Sequence, residues 1–247
     1  PIGQKETHEF LSALNDFYRT SRFNDFFNTH TDIYELGLQV FNDSVMAHFD
    51  QEWYTRFYGT PPAEQFRIII GFTNGPCNYG PSRKLTGQPK EVFAIMNYAV
   101  DDNERPIFYK KVVETVVHEF CHSFTKIKGD TEKALEKSGK ALQEYTYFSM
   151  RRQAYSTWRN ILEESLVRAA TICYLIDHDY DEKDIRNAII EQVDRNFFWM
   201  PELVQTLRYY ESHRKKYPTF TSFYPEIIRF FDRYVTNMEK EMKKAMK

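Results

Sequence analysis

From Gly129 to the C-terminus, apolar residues recur every three or four positions with hardly a break, so the second half must fold as packed helices. The spacing predicts helices over Thr131–Ala154, Thr157–Ile176, Asp181–Asn196, Glu202–Tyr210 and Tyr224–Met242. The first half reads differently. Phe10, Leu14, Phe17, then Leu36, Val40, Phe41, Val45 and Phe49 keep the helical period and predict two or three helices before about Asp50. After a break at Gly59–Pro62, Phe66–Phe72 reads as a strand. A loop rich in Gly and Pro follows over Gly75–Pro89, and Glu91–Val100 reads as a second strand. Asp101, Asp102 and Asn103 offer caps, with Pro106 in the first turn, for a helix running from Ile107 to about Lys126. The order predicts an α+β fold: one unit over 1–247, with a lobe over 1–128 that holds a small sheet and a helical lobe over 129–247.

Charge and cysteine usage exclude several function classes. A net charge of −2 supplies no basic surface for nucleic acid. No apolar run approaches the roughly 20 residues that span a bilayer, so no transmembrane segment is expected. Cys77, Cys121 and Cys173 have no CxxC spacing and indicate neither a disulfide scaffold nor a cysteine zinc site. The chain begins Pro1-Ile2-Gly3 without an apolar signal region, and a targeting segment is expected to lie outside it. Aromatic residues, at 17%, serve either the core or a cleft.

Chemistry concentrates in His118-Glu119-Phe120-Cys121-His122, an H-E-x-x-H sequence. On a helix, positions i and i+4 share a face, so His118 and His122 can reach one metal ion while Glu119 projects beside it. Around the motif, Val116, Val117, Phe120, Cys121 and Phe124 are all apolar. Two imidazoles and a carboxylate in such a helix are costly to bury without a ligand or hydrogen-bond partners. Cys121 reads as a small buried apolar residue. Asp177, Asp179 and Asp181 start like a calcium loop, but Glu182 stands where that loop needs Gly. Asp181 and Asp184 instead suit a helix cap, and His178 beside them a surface position.

The segment Thr115-Val116-Val117-His118-Glu119-Phe120-Cys121-His122-Ser123-Phe124 resembles the active-site helix of the zincin metallopeptidases. That resemblance implies a zincin-like core: a short sheet before the helix and further helices after it. The wider chain is similar to a poorly characterised bacterial family regarded as secreted peptidases, which implies a secreted or periplasmic setting. Metzincins carry Gly at 125 and His at 128 of this numbering; Thr125 and Lys128 exclude that subclass. The gluzincin alternative draws its third ligand from a Glu on a later helix.

Three residues compete for that place. Glu144 stands 22 residues after His122, and Glu163 and Glu164 stand 41 and 42 after it. The stretch Asn160-Ile161-Leu162-Glu163-Glu164-Ser165 resembles the gluzincin Asn-Glu-Gly helix with Glu164 in the ligand place, while Glu163 shares a face with Val167 and Ala170. Arg168, four residues beyond Glu164, is placed to hydrogen-bond that carboxylate. The ligand set implied is His118, His122 and Glu164 around Zn2+, with Glu119 as the base that activates water for peptide-bond hydrolysis. A peptide or protein is the expected substrate, and the strand over Glu91–Val100 is either a sheet edge to which it could add or an interior strand. The alternative is a noncatalytic binding protein that retains the fold.

Overall fold

The computed structural model describes residues 3–75, 77–109 and 111–245. It is an α+β protein, 63% helical, with a small sheet. In chain order the elements are α1 (Gln4–Thr20), α2 (Phe23–Thr29), α3 (Thr31–Ser44), α4 (Trp53–Tyr58), β1 (Gln65–Ile70), β2 (Ser82–Arg83), β3 (Glu91–Met96), β4 (Ala99–Val100) and β5 (Pro106–Ile107). There follow α5 (Val112–Cys121), α6 (Asp130–Tyr145), α7 (Tyr147–Arg152), α8 (Trp158–Asp177), α9 (Glu182–Asp194), α10 (Met200–Ser212) and α11 (Phe220–Ala245). Among the described residues no helix is long and apolar enough to cross a membrane.

Two compact units form: Pro1–Ala47 with Tyr98–Tyr109, and His48–Asn97 with Lys110–Lys247. The sequence lobes, divided at 128, separate the chain by secondary-structure content; these units separate it by packing.

In the first unit, α3 packs on β5, and the Phe41 ring meets Phe108 edge-on at 5.0 Å. Here the sequence expectation fails. Residues 106–107 do not open a helix but form β5, antiparallel to β4. The Asp101 carboxylate accepts from the backbone N–H of Asn103 (2.8 Å) and Arg105 (2.9 Å), closing the hairpin turn. Asp serves turns and helix starts by the same local hydrogen bonds, so its presence did not tell them apart. The helix begins only at Val112.

In the second unit β1 and β3 run parallel, from Gln65↔Glu91 to Ile70↔Met96, and β2 pairs antiparallel with the start of β3. Strand β3 therefore lies inside the sheet, with Val92, Ala94 and Met96 buried. The edge reading of that strand is corrected: beyond β2 the segment through Tyr79 covers its outer side, exchanging two backbone hydrogen bonds with Ile95. Val92, Ala94 and Met96 fill the buried face, while Phe93 and Ile95 on the other are half-buried, so Val92–Met96 reads as an unbroken apolar run.

Helix α5 lays Val113, Val116, Val117, Phe120 and Cys121 into the core, and Phe120 stacks on Phe66 at 4.1 Å. Phe124, just beyond it, stacks on Tyr58 at 4.2 Å. With Trp53 and Phe57 also stacked, at 4.5 Å, much of the aromatic content is spent on this core. Helix α8 is the hub. Thr157 caps it by accepting from the Asn160 N–H, and it is buried on nearly every face from Ile161 to Leu175 by α5, α6 and α10. Each fully buried Leu or Ile on it contributes about 1.5–3 kcal/mol. That packing presents the first turns of α8 to the C-terminal end of α5.

Candidate metal centre

The i,i+4 spacing on α5 brings the rings of His118 and His122 within 5.0 Å of each other. His122 is the C-cap but keeps right-handed helical angles (φ −56°, ψ −23°), so the shared face persists to the helix end. Opposite them α8 presents Glu164, buried at 5% exposure. Its Oε1 lies 3.4 Å from His118 Nε2 and its Oε2 lies 3.6 Å from His122 Nε2. One donor atom from each of the three residues falls within 4.8 Å of the others, a group that can hold a metal ion. Tetrahedral ligands about 2.0–2.1 Å from a metal are separated by roughly 3.4 Å, close to both measured spacings. The donor set thus fits a cation in size and in chemistry.

Electrostatics suits the same role. Burial is the main influence on His118, pushing it down to about 4 against the opposing pull of Glu164; His122 is lowered for the same reason. Both rings are neutral at neutral pH, leaving nitrogen lone pairs free to ligate. Burial works against ionisation of Glu164, but its interactions with His118, Arg168 and His122 and the Tyr155 hydrogen bond outweigh it and hold the carboxyl below the ordinary value; at neutral pH the permanent charge among them is that of Arg168. Burial together with the nearby Glu164 charge raises Glu119 to about 7, into the range where a carboxylate exchanges protons at neutral pH.

Glu164 is itself held in place. Arg168 Nη2 lies 2.8 Å from its Oε1, and the Tyr155 hydroxyl donates to the same oxygen at 2.9 Å. Arg168 donates in turn to the Tyr155 oxygen at 3.0 Å and to Gln192 Oε1 on α9. The Arg168 contact matches the sequence expectation. Tyr155 and Gln192 were not foreseen: neither follows from helical spacing to the motif. Ala154, at φ +67°, is a bend that only the folded chain reveals, and it directs Tyr155 toward α8.

The rival carboxylates go elsewhere. Glu163 Oε1 accepts from the Ile127 N–H at 2.8 Å and its Oε2 faces Lys126, so it ties down the turn after α5. Glu144 is exposed near the end of α6. Cys121 is buried, its thiol pushed up to about 12 by desolvation. Asp181 takes the N-cap position of α9 without a side-chain capping bond, and Asp177 accepts from Trp53 Nε1 at 2.8 Å. His178 is no plain surface residue: its Nε2 lies 3.1 Å from Asp50 Oδ2 and its ring stacks on Tyr174 at 3.9 Å.

His118 and Glu119 open into a cleft of about 900 Å³. One wall is the segment Cys77–Tyr79, and the other is α9 with Gln192 and Arg195. Glu191, also on that wall, pairs with Lys111 (3.2 Å) and Arg195 (2.9 Å). No curated protein and no solved structure matches the chain. A family model does match, over residues 2–230, and it is described as Domain of unknown function (DUF4932). Since that match spans most of the sequence, the chain belongs to the DUF4932 family.

Proposed function

We propose that this chain is a zinc-dependent peptidase of gluzincin type, with His118, His122 and Glu164 as ligands and Glu119 as the base. The observation that carries the reading is the convergence of three ligand-type side chains, one of them from a helix 42 residues downstream, beside a carboxylate in a cleft. Sheet strands before α5 and helices after it follow the order of a zincin-like core.

Zinc, when bound, acidifies its water and polarises a scissile carbonyl. The chain's own residues do the rest. Glu119 takes a proton from the attacking water and delivers it to the departing amine, as a general acid–base carboxyl does. Tyr155 and Arg168 fix the Glu164 carboxylate, so its oxygens stay aimed at the two imidazoles. The cleft wall at Cys77–Tyr79 belongs to the outer segment of the sheet, and an extended peptide is the substrate best suited to lie along it.

The test is zinc content and peptide hydrolysis of the purified full chain. About one equivalent of zinc, removed by a chelator together with activity and restored with it, is the expected result. A protein that binds no zinc and cleaves nothing in a mixed peptide library sinks the reading.

The hydrogen bonds of Tyr155 yield a second expectation. Tyr155→Phe removes one donor from Glu164 and one acceptor from Arg168 while leaving the ring in place. Zinc affinity should fall by about 10–100-fold, as for other groups that orient a ligand. Competition against a chelating dye measures it, and an unchanged affinity would show that Arg168 suffices.

A further inference from the structure

We infer that Gly80 is a positioning residue: its bare Cα forms the seat on which the Glu119 carboxylate rests. The inference depends on the reading of Glu119 as the base. A Cβ built on Gly80 would lie 2.2 Å from Glu119 Oε2 and 3.3 Å from its Cδ. The next atom it would meet is the Phe93 carbonyl oxygen, at 3.9 Å.

The backbone gives no other reason for a glycine. Gly80 is not among the residues with positive φ, so an L-residue could adopt its conformation. It lies between Tyr79, paired with Ile95, and Pro81, whose carbonyl accepts from the Phe93 N–H at 2.9 Å. Within such an extended segment glycine weakens pairing and marks a place where another group approaches the backbone closely. The approaching group is the carboxylate that the mechanism assigns to proton transfer.

The clash falls on the far end of a flexible side chain. Glu119 can rotate away from an alanine at position 80, so the fold should tolerate the change and the carboxylate should lose its place. Displacing a reacting group by about 1 Å costs on the order of a hundredfold in rate. Gly80→Ala should therefore lower kcat on a peptide substrate by about a hundredfold, with KM, zinc content and Tm close to wild type. Gly80→Val should lower it at least as far, although valine favours extended backbone. Ser82→Ala, further along the same segment, should leave kcat unchanged.

The full chain and these three variants are assayed for kcat, KM, zinc and Tm, and crystal structures are determined for the wild type and Gly80→Ala. A Gly80→Ala protein with wild-type kcat overturns the inference. Loss of zinc or a large fall in Tm overturns it too, because the glycine would then be structural. If the wild type hydrolyses no peptide, the proposed function fails by itself, and the crystal structures decide the seat. A Glu119 carboxylate displaced in Gly80→Ala supports it; one that keeps its place refutes it.

Discussion

Glu119→Gln is expected to keep zinc and lose peptide hydrolysis by a factor on the order of 10²–10⁴, the usual share of a general acid–base group. Glutamine matches glutamate in size, so the packing against Gly80 and along α5 persists. None of the three converging donor atoms belongs to Glu119, so the metal set is untouched. What disappears is the capacity to accept a proton. In the metal-free chain, burial and the nearby Glu164 charge raise this carboxyl to about 7. Zinc content by atomic emission and turnover of a peptide library by mass spectrometry separate the two effects. Unchanged turnover with zinc in place would remove Glu119 from the mechanism.

The second large effect is at Glu164, where one substitution removes both a proposed ligand and the counter-ion of a buried cation. Arg168 is 11% exposed in its side chain and Glu164 only 7%. In Glu164→Ala the guanidinium stays charged, because arginine cannot shed its proton at any ordinary pH. Breaking a buried pair from one side costs about 3–5 kcal/mol. Metal-free Glu164→Ala should therefore unfold in urea with a stability lower by about that amount, and it should no longer retain zinc. Glu164→Gln, which can still accept hydrogen bonds from Tyr155 and Arg168, should lose much less stability while still binding zinc weakly. Glu163→Ala and Glu144→Ala should retain zinc, since their carboxylates face Ile127 and Lys126 in one case and solvent in the other. Equal retention by all three alanine variants would remove the gluzincin-type ligand set. A Glu164→Ala loss below about 1 kcal/mol would mean that water or Gln192 already solvates Arg168.

The legible parts of the chain were those governed by short-range periodicity. Helices α8 to α11 follow from the apolar spacing, with the long buried α8 recognisable from Ile161 onward, whereas the single helix expected over Thr131–Ala154 is two, α6 and α7, broken where Thr146 leaves helical angles (φ −106°, ψ 14°). The common face of His118 and His122 follows from 3.6 residues per turn alone. Less legible were places where one residue type serves two local structures, as with Asp101, whose carboxylate closes a hairpin where a helix cap was expected. The sheet edge was misplaced as an alternative for a related reason. An apolar run of five residues, Val92 to Met96, cannot announce whether a neighbour covers it, and here the segment through Tyr79 does.

The sequence by itself determined that two imidazoles share one face of an apolar helix with a carboxylate projecting beside them, because that is a property of helical geometry within five residues. Only the tertiary structure decided which downstream carboxylate meets them. Glu163 and Glu164 are neighbours in sequence, yet one helical step of about 100° turns the first to the Ile127 N–H and the second to the imidazoles. The rotation of α8 against α5 is set by the whole buried surface of both helices. Gly80 and Tyr155 reach the site through the same long-range packing, which no local pattern encodes.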